Sequence, residues 1–385
     1  MKILIAPDKF KGVQSAHQVA ENIAAGLRDV LPHADIETLP MADGGEGTTE
    51  VIHAARGGTW RECQAHDALG REITARYLWL GESRTAVMEM SEAAGMKRIG
   101  TNERNLESAS TFGVGEMMLN AVQRGAREII VGLGGSATND AGFGMARALG
   151  FRFLNEEQEQ ENECAGKVSE LVNLTCIVPS PQSSPWGRGR PSAPGDGPVP
   201  KVVAAADVRN PLLGRTGATQ VFGPQKGAGP RELESLERAL TRMADVVTKD
   251  LGVDYRNEPG AGAAGGLGFG LMTFCGAVMQ PGFEVVAEAI GLSAKMNTAD
   301  VVVTGEGSLD RQTLEGKAPA GVARLARKLG KRVFAIVGRT DDDRKVKQLF
   351  DAVYALAVPD LSEEENIKRS PELLREGARR LGRKL

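Results

Sequence analysis

One stretch near the middle of the chain, Glu128–Gly144 (EIIVGLGGSATNDAGFG), limits the folds open to it more than any other. Its β-branched start, Ile129–Val131, is typical of a buried strand, and a run of glycines ends that strand. Apolar residues at helical spacing follow, so the stretch predicts a strand, a glycine turn and a helix. This geometry turns free backbone N–H groups and the positive end of a helix dipole toward an anion. The alternative is a well-capped turn of an α/β protein that binds nothing.

Both ends of the chain alternate apolar strands with amphipathic helices. The first strand ends just before Asp8, and the second ends before the acidic, glycine-rich loop Asp43–Thr48. A capping box that starts at Ser15 opens the helix between them. From Ala299 onward, strand and helix alternate again. Because such units build parallel sheets whose ligands gather at the carboxyl ends of the strands, both acidic loops are expected at the binding edge.

The middle of the chain has a different pattern. Between residues 60 and 90, short segments of alternating apolar and polar residues predict antiparallel strands. The simplest assembly is an α/β protein of two domains. Residues 1–65 and 292–385 are expected to form a parallel-sheet domain, and residues 66–291 an inserted mixed α/β domain. Within the insertion, Pro179–Pro200 holds seven prolines and predicts a surface loop without regular structure.

Composition argues against several classes of function. A formal net charge of −3 and an aromatic content of 4% give no electrostatic or stacking case for nucleic acid. No run approaches the ~18 apolar residues of a membrane span, and the first residues lack a secretory signal. The four cysteines are widely spaced, which predicts reduced thiols in a cytoplasmic protein. With four histidines, all early in the chain, the chemistry is expected to use Asp, Glu, Lys and backbone amides.

Glycine, with 48 residues, concentrates in loops that also carry acidic residues, lysine, serine or threonine. Two of these loops imitate dinucleotide fingerprints. The one at 132–137 lacks a strand that ends in Asp or Glu about twenty residues later, and the one at 260–265 lacks a preceding strand. Neither Lys226 nor Lys317 completes a P-loop. The loops together suit phosphoryl transfer, which needs amides and lysines for the triphosphate, carboxylates for Mg²⁺ and a carboxylate base for the acceptor hydroxyl.

Two other functions stay open beside a kinase. The fingerprint-like loops motivate a nucleotide-dependent oxidoreductase of a small hydroxy acid, for which pyridine nucleotide would stabilise the fold. A non-catalytic sensor of a sugar acid or nucleotide is the second alternative. Neither accounts for the whole set of loops.

Seven motifs, spread along most of the chain, strengthen the kinase interpretation. They are Ile5–Gly12, Ala42–Thr48, Gly134–Asp140, Ala206–Leu212, Phe222–Ala228, Pro259–Gly266 and Thr304–Asp310. In this order they resemble the type I glycerate kinases. The resemblance implies a flavodoxin-like domain formed by the chain ends, and a Mg-ATP-dependent kinase that phosphorylates D-glycerate. Similar bacterial enzymes act on the 2-hydroxyl and release 2-phosphoglycerate and ADP. The segment Pro179–Pro200 departs from the family, which has ordinary composition there.

Residue roles follow as hypotheses. The catalytic candidates are Asp8, Lys11, Asp310 and Lys317, with Asp8 or Asp310 as the base. The Mg²⁺ candidates are Asp140 and Asp207. The candidates for binding substrate or phosphate are Asp43, Glu46, Gly134, Gly135, Ser136, Thr138, Asn139, Lys226, Gly262, Gly265 and Glu306. The expected ligands are therefore D-glycerate, ATP and Mg²⁺, with no nucleic acid and no membrane partner, and a homo-oligomer is left open.

Overall fold

The secondary structure is that of a mixed α/β protein. The computed structural model describes residues 1–157, 160–164, 166–179, 199–311, 313, 317–341 and 343–385, so most of the predicted Pro179–Pro200 loop lies outside the described residues. The strands are β1 (Lys2–Ile5), β2 (Asp35–Thr38), β3 (Thr59–His66), β4 (Glu72–Leu80), β5 (Thr85–Glu89), β6 (Glu128–Gly132), β7 (Arg152–Glu157), β8 (Gln160–Glu163), β9 (Leu174–Val178), β10 (Lys201–Ala205), β11 (Val278–Gln280), β12 (Val301–Thr304), β13 (Ser308–Leu309), β14 (Arg332–Val337), β15 (Arg339–Thr340) and β16 (Ala352–Ala355).

The α-helices connect these strands. They are α1 (Ala16–Arg28), α2 (Thr48–Arg56), α3 (Ser91–Ala94), α4 (Phe112–Gln123), α5 (Phe143–Ala148), α6 (Ala218–Phe222), α7 (Pro230–Leu251), α8 (Ala263–Cys275), α9 (Gly282–Ala289), α10 (Leu292–Thr298), α11 (Ala318–Lys328), α12 (Arg344–Lys347), α13 (Glu363–Lys368) and α14 (Ser370–Gly382). Among the described residues, none of these helices combines the length and apolar character that a membrane crossing requires.

The chain divides into two compact units. Unit 1 consists of Met1–Gly57 and Pro281–Leu385, and unit 2 of Gly58–Gln280. Both boundaries lie earlier in the chain than residues 65 and 292, where the sequence pattern places them. The first lies earlier because β3 pairs with β4 along its whole length. The second lies earlier because α9 packs against α2 and α11.

Unit 1 is built on a parallel five-stranded sheet. Its strand order is β2-β1-β12-β14-β16. When only the strands of this sheet are numbered, the order is 2-1-3-4-5, the flavodoxin-like order, so the predicted parallel-sheet fold is confirmed. Ile3, Leu4 and Ile5 of β1 are all fully buried. Because successive side chains point to opposite faces, both faces of the central strand are covered, as the uninterrupted apolar run predicts.

Helix α1 shows how local sequence signals shape unit 1. The predicted capping box is present: the N–H of Gln18 donates to Ser15 Oγ at 3.2 Å, and the N–H of Ser15 donates to Gln18 Oε1 at 2.9 Å. Val19, Ile23 and Leu27 lie on its buried face and join the core formed with β1, β12 and α14. The cap therefore fixes where the loop after β1 ends and the helix begins.

Unit 2 contains a mixed six-stranded sheet with the order β11-β10-β6-β5-β4-β3. β3, β4 and β5 pair antiparallel, as the alternating pattern predicts. β5 also pairs parallel with β6, and β6, β10 and β11 continue in parallel. The four parallel strands therefore end at one edge of the sheet, where α/β proteins hold their ligands. A separate sheet of order β8-β7-β9 completes the described strands of this unit.

Candidate active site

In unit 1, acidic side chains follow three adjacent strands at their carboxyl ends. Asp8 follows β1, Asp43 follows β2 and Glu306 follows β12. The loops are tied together, because the N–H of Asp8 donates to the carbonyl of Gly305 at 2.8 Å. The sheet order thus brings together residues that are about 300 positions apart in the chain, as the parallel-sheet argument predicts.

Asp8 is a buried carboxyl with an unusual proton affinity. Only 7% of its surface is exposed. Burial, followed by the nearby Asp43 carboxylate, raises the pKa of Asp8 to about 8. Lys9 opposes this rise through its charge and through its backbone N–H, which donates to Asp8 Oδ1 at 2.7 Å. The Lys9 ammonium also donates to the carbonyl of Glu46. A carboxyl with a pKa near the working pH is suited to exchange a proton with substrate.

Glu306 lies beside a lysine and a buried hydroxyl. Its Oε1 accepts a hydrogen bond from Thr313 Oγ1 at 2.8 Å, and its Oε2 lies 3.6 Å from Lys317 Nζ. Burial raises the pKa of Glu306 to about 7 although both neighbours favour the charged form. Lys317 also lies 3.3 Å from Asp310 Oδ1. The cluster therefore holds a lysine between two carboxyls at the N-terminus of α11.

The remaining candidates of unit 1 lie in the same loops. Lys11 is exposed in the turn after Phe10, next to the backbone of Gly307. Asp43 is half-buried, and its Oδ1 accepts a hydrogen bond from the N–H of Gly45 at 3.1 Å. Charge interactions thus join Asp8 to Asp43 and to Glu306, and Lys317 to Glu306 and Asp310. Glu46 joins the cluster through its carbonyl, which binds Lys9.

In unit 2, the glycine loop after β6 is exposed at its tip. Gly134 is half-buried, and Gly135 is exposed with a φ of +70°, a conformation that favours glycine. Within the described part of the chain, the backbone N–H groups of Gly134, Gly135 and Ser136 have no protein acceptor. Free amides in a glycine loop between a strand and a helix are the donors that a phosphate group needs.

Asp140, a predicted Mg²⁺ candidate, is surrounded by hydrogen-bond donors. It is fully buried, and its Oδ2 accepts hydrogen bonds from the N–H of Thr111, the hydroxyl of Thr111 and the N–H of Gly144, at 2.8, 2.8 and 3.1 Å. Its Oδ1 accepts one from the N–H of Gly142 at 3.1 Å. Burial raises the pKa of Asp140 against these donors. The carboxyl thus caps α5 and ties it to the start of α4.

Thr138 and Asn139 are also fully buried beneath the exposed tip. The Nδ2 of Asn139 donates to Thr219 Oγ1 at 3.0 Å. Among the described residues, Thr138 Oγ1 and Asn139 Oδ1 have no hydrogen-bond partner. The predicted phosphate-binding stretch therefore separates into a tip, Gly134–Ser136, in which Gly135 is exposed and Ser136 is buried, and a fully buried base, Thr138–Asp140.

Asp207 lies at the same edge as the tip. It follows β10 and is half-buried, two residues beyond Ala205, which is the register partner of Gly132. One candidate that the sequence pattern did not reveal lies on the other side. Glu89 ends β5 in register with Gly132 and is 5% exposed. An acidic residue at the end of an apolar run is the signal that would have identified it, once β5 was recognised as a parallel neighbour of β6.

Gly262 and Gly265 are close-packing positions. A Cβ on Gly262 would overlap the carbonyl of Pro211, and a Cβ on Gly265 would overlap the carbonyl of Thr138. Ala264, Gly265 and Gly266 all have left-handed backbone angles. The start of α8 therefore presses directly against the buried base of the loop after β6, and these glycines support that loop from below.

Lys226 is a further buried residue beneath the loop after β6. It ends the short turn Pro224–Lys226 after α6 and is 4% exposed. Its Nζ donates to Ser136 Oγ and to the carbonyl of Thr138, both at 2.7 Å. Burial lowers the pKa of Lys226 to about 7, although the Asp140 carboxylate favours the charged form. The ammonium is directed into the loop.

Comparison with known proteins decides the family. A sequence model of the glycerate kinase family matches residues 3–385. This chain belongs to the glycerate kinase family. The resemblance drawn from the seven motifs is therefore confirmed. As a member of the family, the protein is a kinase that acts on glycerate, and the family implies ATP as the phosphate donor.

Individual relatives agree with this assignment. The chain is 38% identical over 358 residues to the glycerate 2-kinase of Escherichia coli K12, covering 92% of this chain and 90% of that one. It is 38% identical over 381 residues to the glycerate kinase of Bacillus subtilis 168, covering 98% and 96%. A crystal structure of a glycerate kinase 2 from Salmonella typhimurium LT2 superposes with a TM-score of 0.84 at 38% identity, covering 100% of this chain and 98% of that one.

Proposed function

We propose that this kinase transfers the γ-phosphoryl group of ATP to the 2-hydroxyl of D-glycerate, which gives 2-phosphoglycerate and ADP. The observation that supports the 2-hydroxyl as the acceptor is the 38% identity to the E. coli relative that is named a glycerate 2-kinase. The four cysteines are free thiols, which agrees with a reducing compartment, and we place the enzyme in the cytoplasm.

Unit 1 supplies the groups that act on glycerate in this proposal. Asp8 takes the proton of the attacking hydroxyl, because burial raises the pKa of its carboxyl to about 8 and so makes it a suitable base. Asp310 is half-buried and paired with Lys317, so its charge is already balanced. Lys11 and Lys317 neutralise the glycerate carboxylate and the transferred phosphoryl group. Thr313 orients Glu306 toward the same loops.

Unit 2 supplies the groups that act on the nucleotide. The free amides of Gly134–Ser136 bind phosphate oxygens. No group of three or more His, Cys, Asp or Glu side chains in the described residues has the arrangement of a metal site. Mg²⁺ bound to a nucleotide needs only one or two carboxylates besides phosphate oxygens and water, so the half-buried Asp207 fits this role and the saturated Asp140 does not. When bound, Mg²⁺ would neutralise charge that develops on the phosphates.

A coupled assay tests the proposal. The protein is incubated with D-glycerate and Mg-ATP, and enolase is added without phosphoglycerate mutase. Immediate formation of phosphoenolpyruvate is the expected result, because enolase accepts the 2-phosphate. ADP release without phosphoenolpyruvate would refute the 2-position, and no ADP release would refute the kinase activity on this substrate.

A further inference from the structure

The buried ammonium of Lys226 donates to oxygen atoms that carry no charge. Ser136 Oγ and the carbonyl of Thr138 accept its two described hydrogen bonds, at opposite ends of a three-residue segment. The carboxyl of Asp140 interacts with Lys226 through charge, but its described hydrogen bonds come from Thr111, Gly142 and Gly144. A lysine this deeply buried is rare unless its ammonium is fully used.

The ligands of this ammonium are those of a monovalent cation. A hydroxyl and a backbone carbonyl are the oxygen types that replace the hydration shell of such an ion in proteins. Helix α6, which precedes the turn that carries Lys226, makes a second contact with the loop: Thr219 Oγ1 accepts a hydrogen bond from Asn139 Nδ2. By contrast, Thr138 Oγ1 and Asn139 Oδ1 have no partner in the described part of the chain. The base of the loop is therefore held by α6 and the turn that follows it.

We propose that Lys226 is a positioning residue whose buried ammonium serves as a resident monovalent cation, holding Ser136 and Thr138 so that the amides of Gly134–Ser136 face the nucleotide phosphates. This inference rests on the proposed phosphate-binding role of the loop. It gives Lys226 no contact with phosphate. Since Ser136 Oγ accepts from the ammonium, the proton of its own hydroxyl is left to donate to a phosphate oxygen.

Chemical rescue tests the inference. Lys226→Ala removes the ammonium and leaves space for a small cation, whereas Lys226→Met removes the charge but fills the space. We expect kcat for ADP release to fall about 100-fold in both variants, since a displacement of about 1 Å in a catalytic group has an effect of this size. Ammonium or methylammonium chloride should raise the kcat of Lys226→Ala at least tenfold and leave the kcat of Lys226→Met unchanged. Tetramethylammonium chloride at equal ionic strength is the control salt, and Lys167→Ala, at an exposed lysine of the same unit, is the control variant.

Two kinetic results would overturn the inference. The first is a rise in the KM for ATP with kcat unchanged and no response to ammonium, which would mean that Lys226 contacts phosphate directly. The second is a well-folded Lys226→Ala with wild-type kcat. If neither variant folds, Lys226→Gln keeps a hydrogen-bond donor, and hydrogen exchange of residues 134–139 replaces the kinetic measurement. Faster exchange than in the wild type supports the inference, and unchanged exchange refutes it.

The same assays separate this inference from the proposed function. ADP release does not depend on which hydroxyl accepts the phosphoryl group. A wild type that releases no ADP from ATP and glycerate refutes the proposed function. Hydrogen exchange of residues 134–139 and ammonium-dependent recovery of Tm in Lys226→Ala still test the role of Lys226 in that case.

Discussion

At the residue scale, Asp8 joins the proposed chemistry to the stability of the fold. Its pKa is raised in the folded protein to about 8, mainly by burial, while an unfolded aspartate titrates near 4. The protonated form therefore contributes stability that is present below pH ~4 and is lost as the pH rises through about 8. The wild type carries a destabilising buried carboxylate under the conditions in which that carboxylate would act as a base.

We predict that Asp8→Asn lowers kcat by about 10²–10⁴-fold and raises the Tm at pH 8.5 by about 2–6 °C. Asparagine removes the buried charge and keeps an acceptor for the N–H of Lys9. The difference in Tm from the wild type should shrink toward pH 4. Thermal scans from pH 4 to 8.5 and initial rates measure both effects. Asp35→Asn is the control. Because Asp35 is exposed, the Tm of this variant should differ little from that of the wild type at any pH in the range. A less stable, fully active Asp8→Asn would contradict the assignment.

Asp140 and Asp207 separate by burial, which sequence spacing does not reveal. We predict that Asp140→Asn lowers the free energy of unfolding by about 2–4 kcal/mol, because an amide NH₂ would face hydrogen-bond donors in a buried site. Asp207→Asn should leave the Tm within about 1 °C and raise the Mg²⁺ concentration needed for half-maximal rate at least tenfold. Urea unfolding and Mg²⁺ titration of activity distinguish the two. A stable Asp140→Asn with weakened Mg²⁺ dependence would restore Asp140 as the metal ligand.

At this scale the sequence selects segments but does not order their residues by depth. The members of Gly134–Asp140 are all small or polar residues, so nothing in the sequence separates exposed from buried positions. Only the structure shows that Gly135 is exposed while Thr138 and Asp140 are fully buried. The acceptors of Lys226 likewise lie about 90 positions away in the chain, and no periodicity in the sequence links them.

At the element scale, the glycines of α8 work through packing, and this has a measurable consequence. Gly265 and Gly276 both have left-handed angles, with φ of +69° and +62°. A Cβ on Gly265 would overlap the carbonyl of Thr138, whereas a Cβ on Gly276 would meet nothing within 4 Å. An alanine at either position is strained by the left-handed backbone, but only an alanine at Gly265 would also collide with the Thr138 carbonyl.

We predict that Gly276→Ala lowers the free energy of unfolding by about 1 kcal/mol and Gly265→Ala by about 2–4 kcal/mol. Gly265→Ala should also weaken stabilisation by Mg-ATP, because the displaced Thr138 lies at the base of the phosphate loop. Chemical unfolding with and without nucleotide measures both. Equal losses in the two variants would mean that the loop adjusts freely and that α8 does not support it.

The outline of the elements was predictable because each depends on local chemistry. The capping box of α1 and the apolar run of β1 are read directly from neighbouring residues. The pairing of β5 was only half predicted, since its alternation matches the antiparallel contact with β4 and carries no signal of the parallel contact with β6. The stretch Gly260–Gly266 resembles a nucleotide-binding loop in sequence, because close packing and phosphate binding both require glycine.

At the scale of the whole molecule, the two units differ in how the chain builds them. Unit 2 is one continuous segment, Gly58–Gln280, with its own core and six-stranded sheet. Unit 1 needs both chain ends, because β1 lies between β2 and β12 and residues 1–57 contain only one of these neighbours. The alternation of strands and helices at both ends predicted this arrangement. The positions of the boundaries depend on pairing and packing that the local sequence does not show.

We predict that a fragment of residues 58–280 unfolds cooperatively and that a fragment of residues 1–57 is unfolded. The larger fragment should be stabilised by Mg-ATP, by about 5–10 °C at a hundredfold excess over its Kd, because it contains the Gly134–Ser136 amides and Asp207. It should release no ADP with D-glycerate, since Asp8 and Lys317 belong to unit 1. Calorimetry and the ADP assay measure these outcomes, with Gly265→Ala in the same fragment as the control that loses nucleotide stabilisation. Glycerate-dependent ADP release by this fragment would contradict the assignment of the catalytic base to unit 1. A folded fragment that Mg-ATP does not stabilise would contradict the assignment of the phosphate site to unit 2.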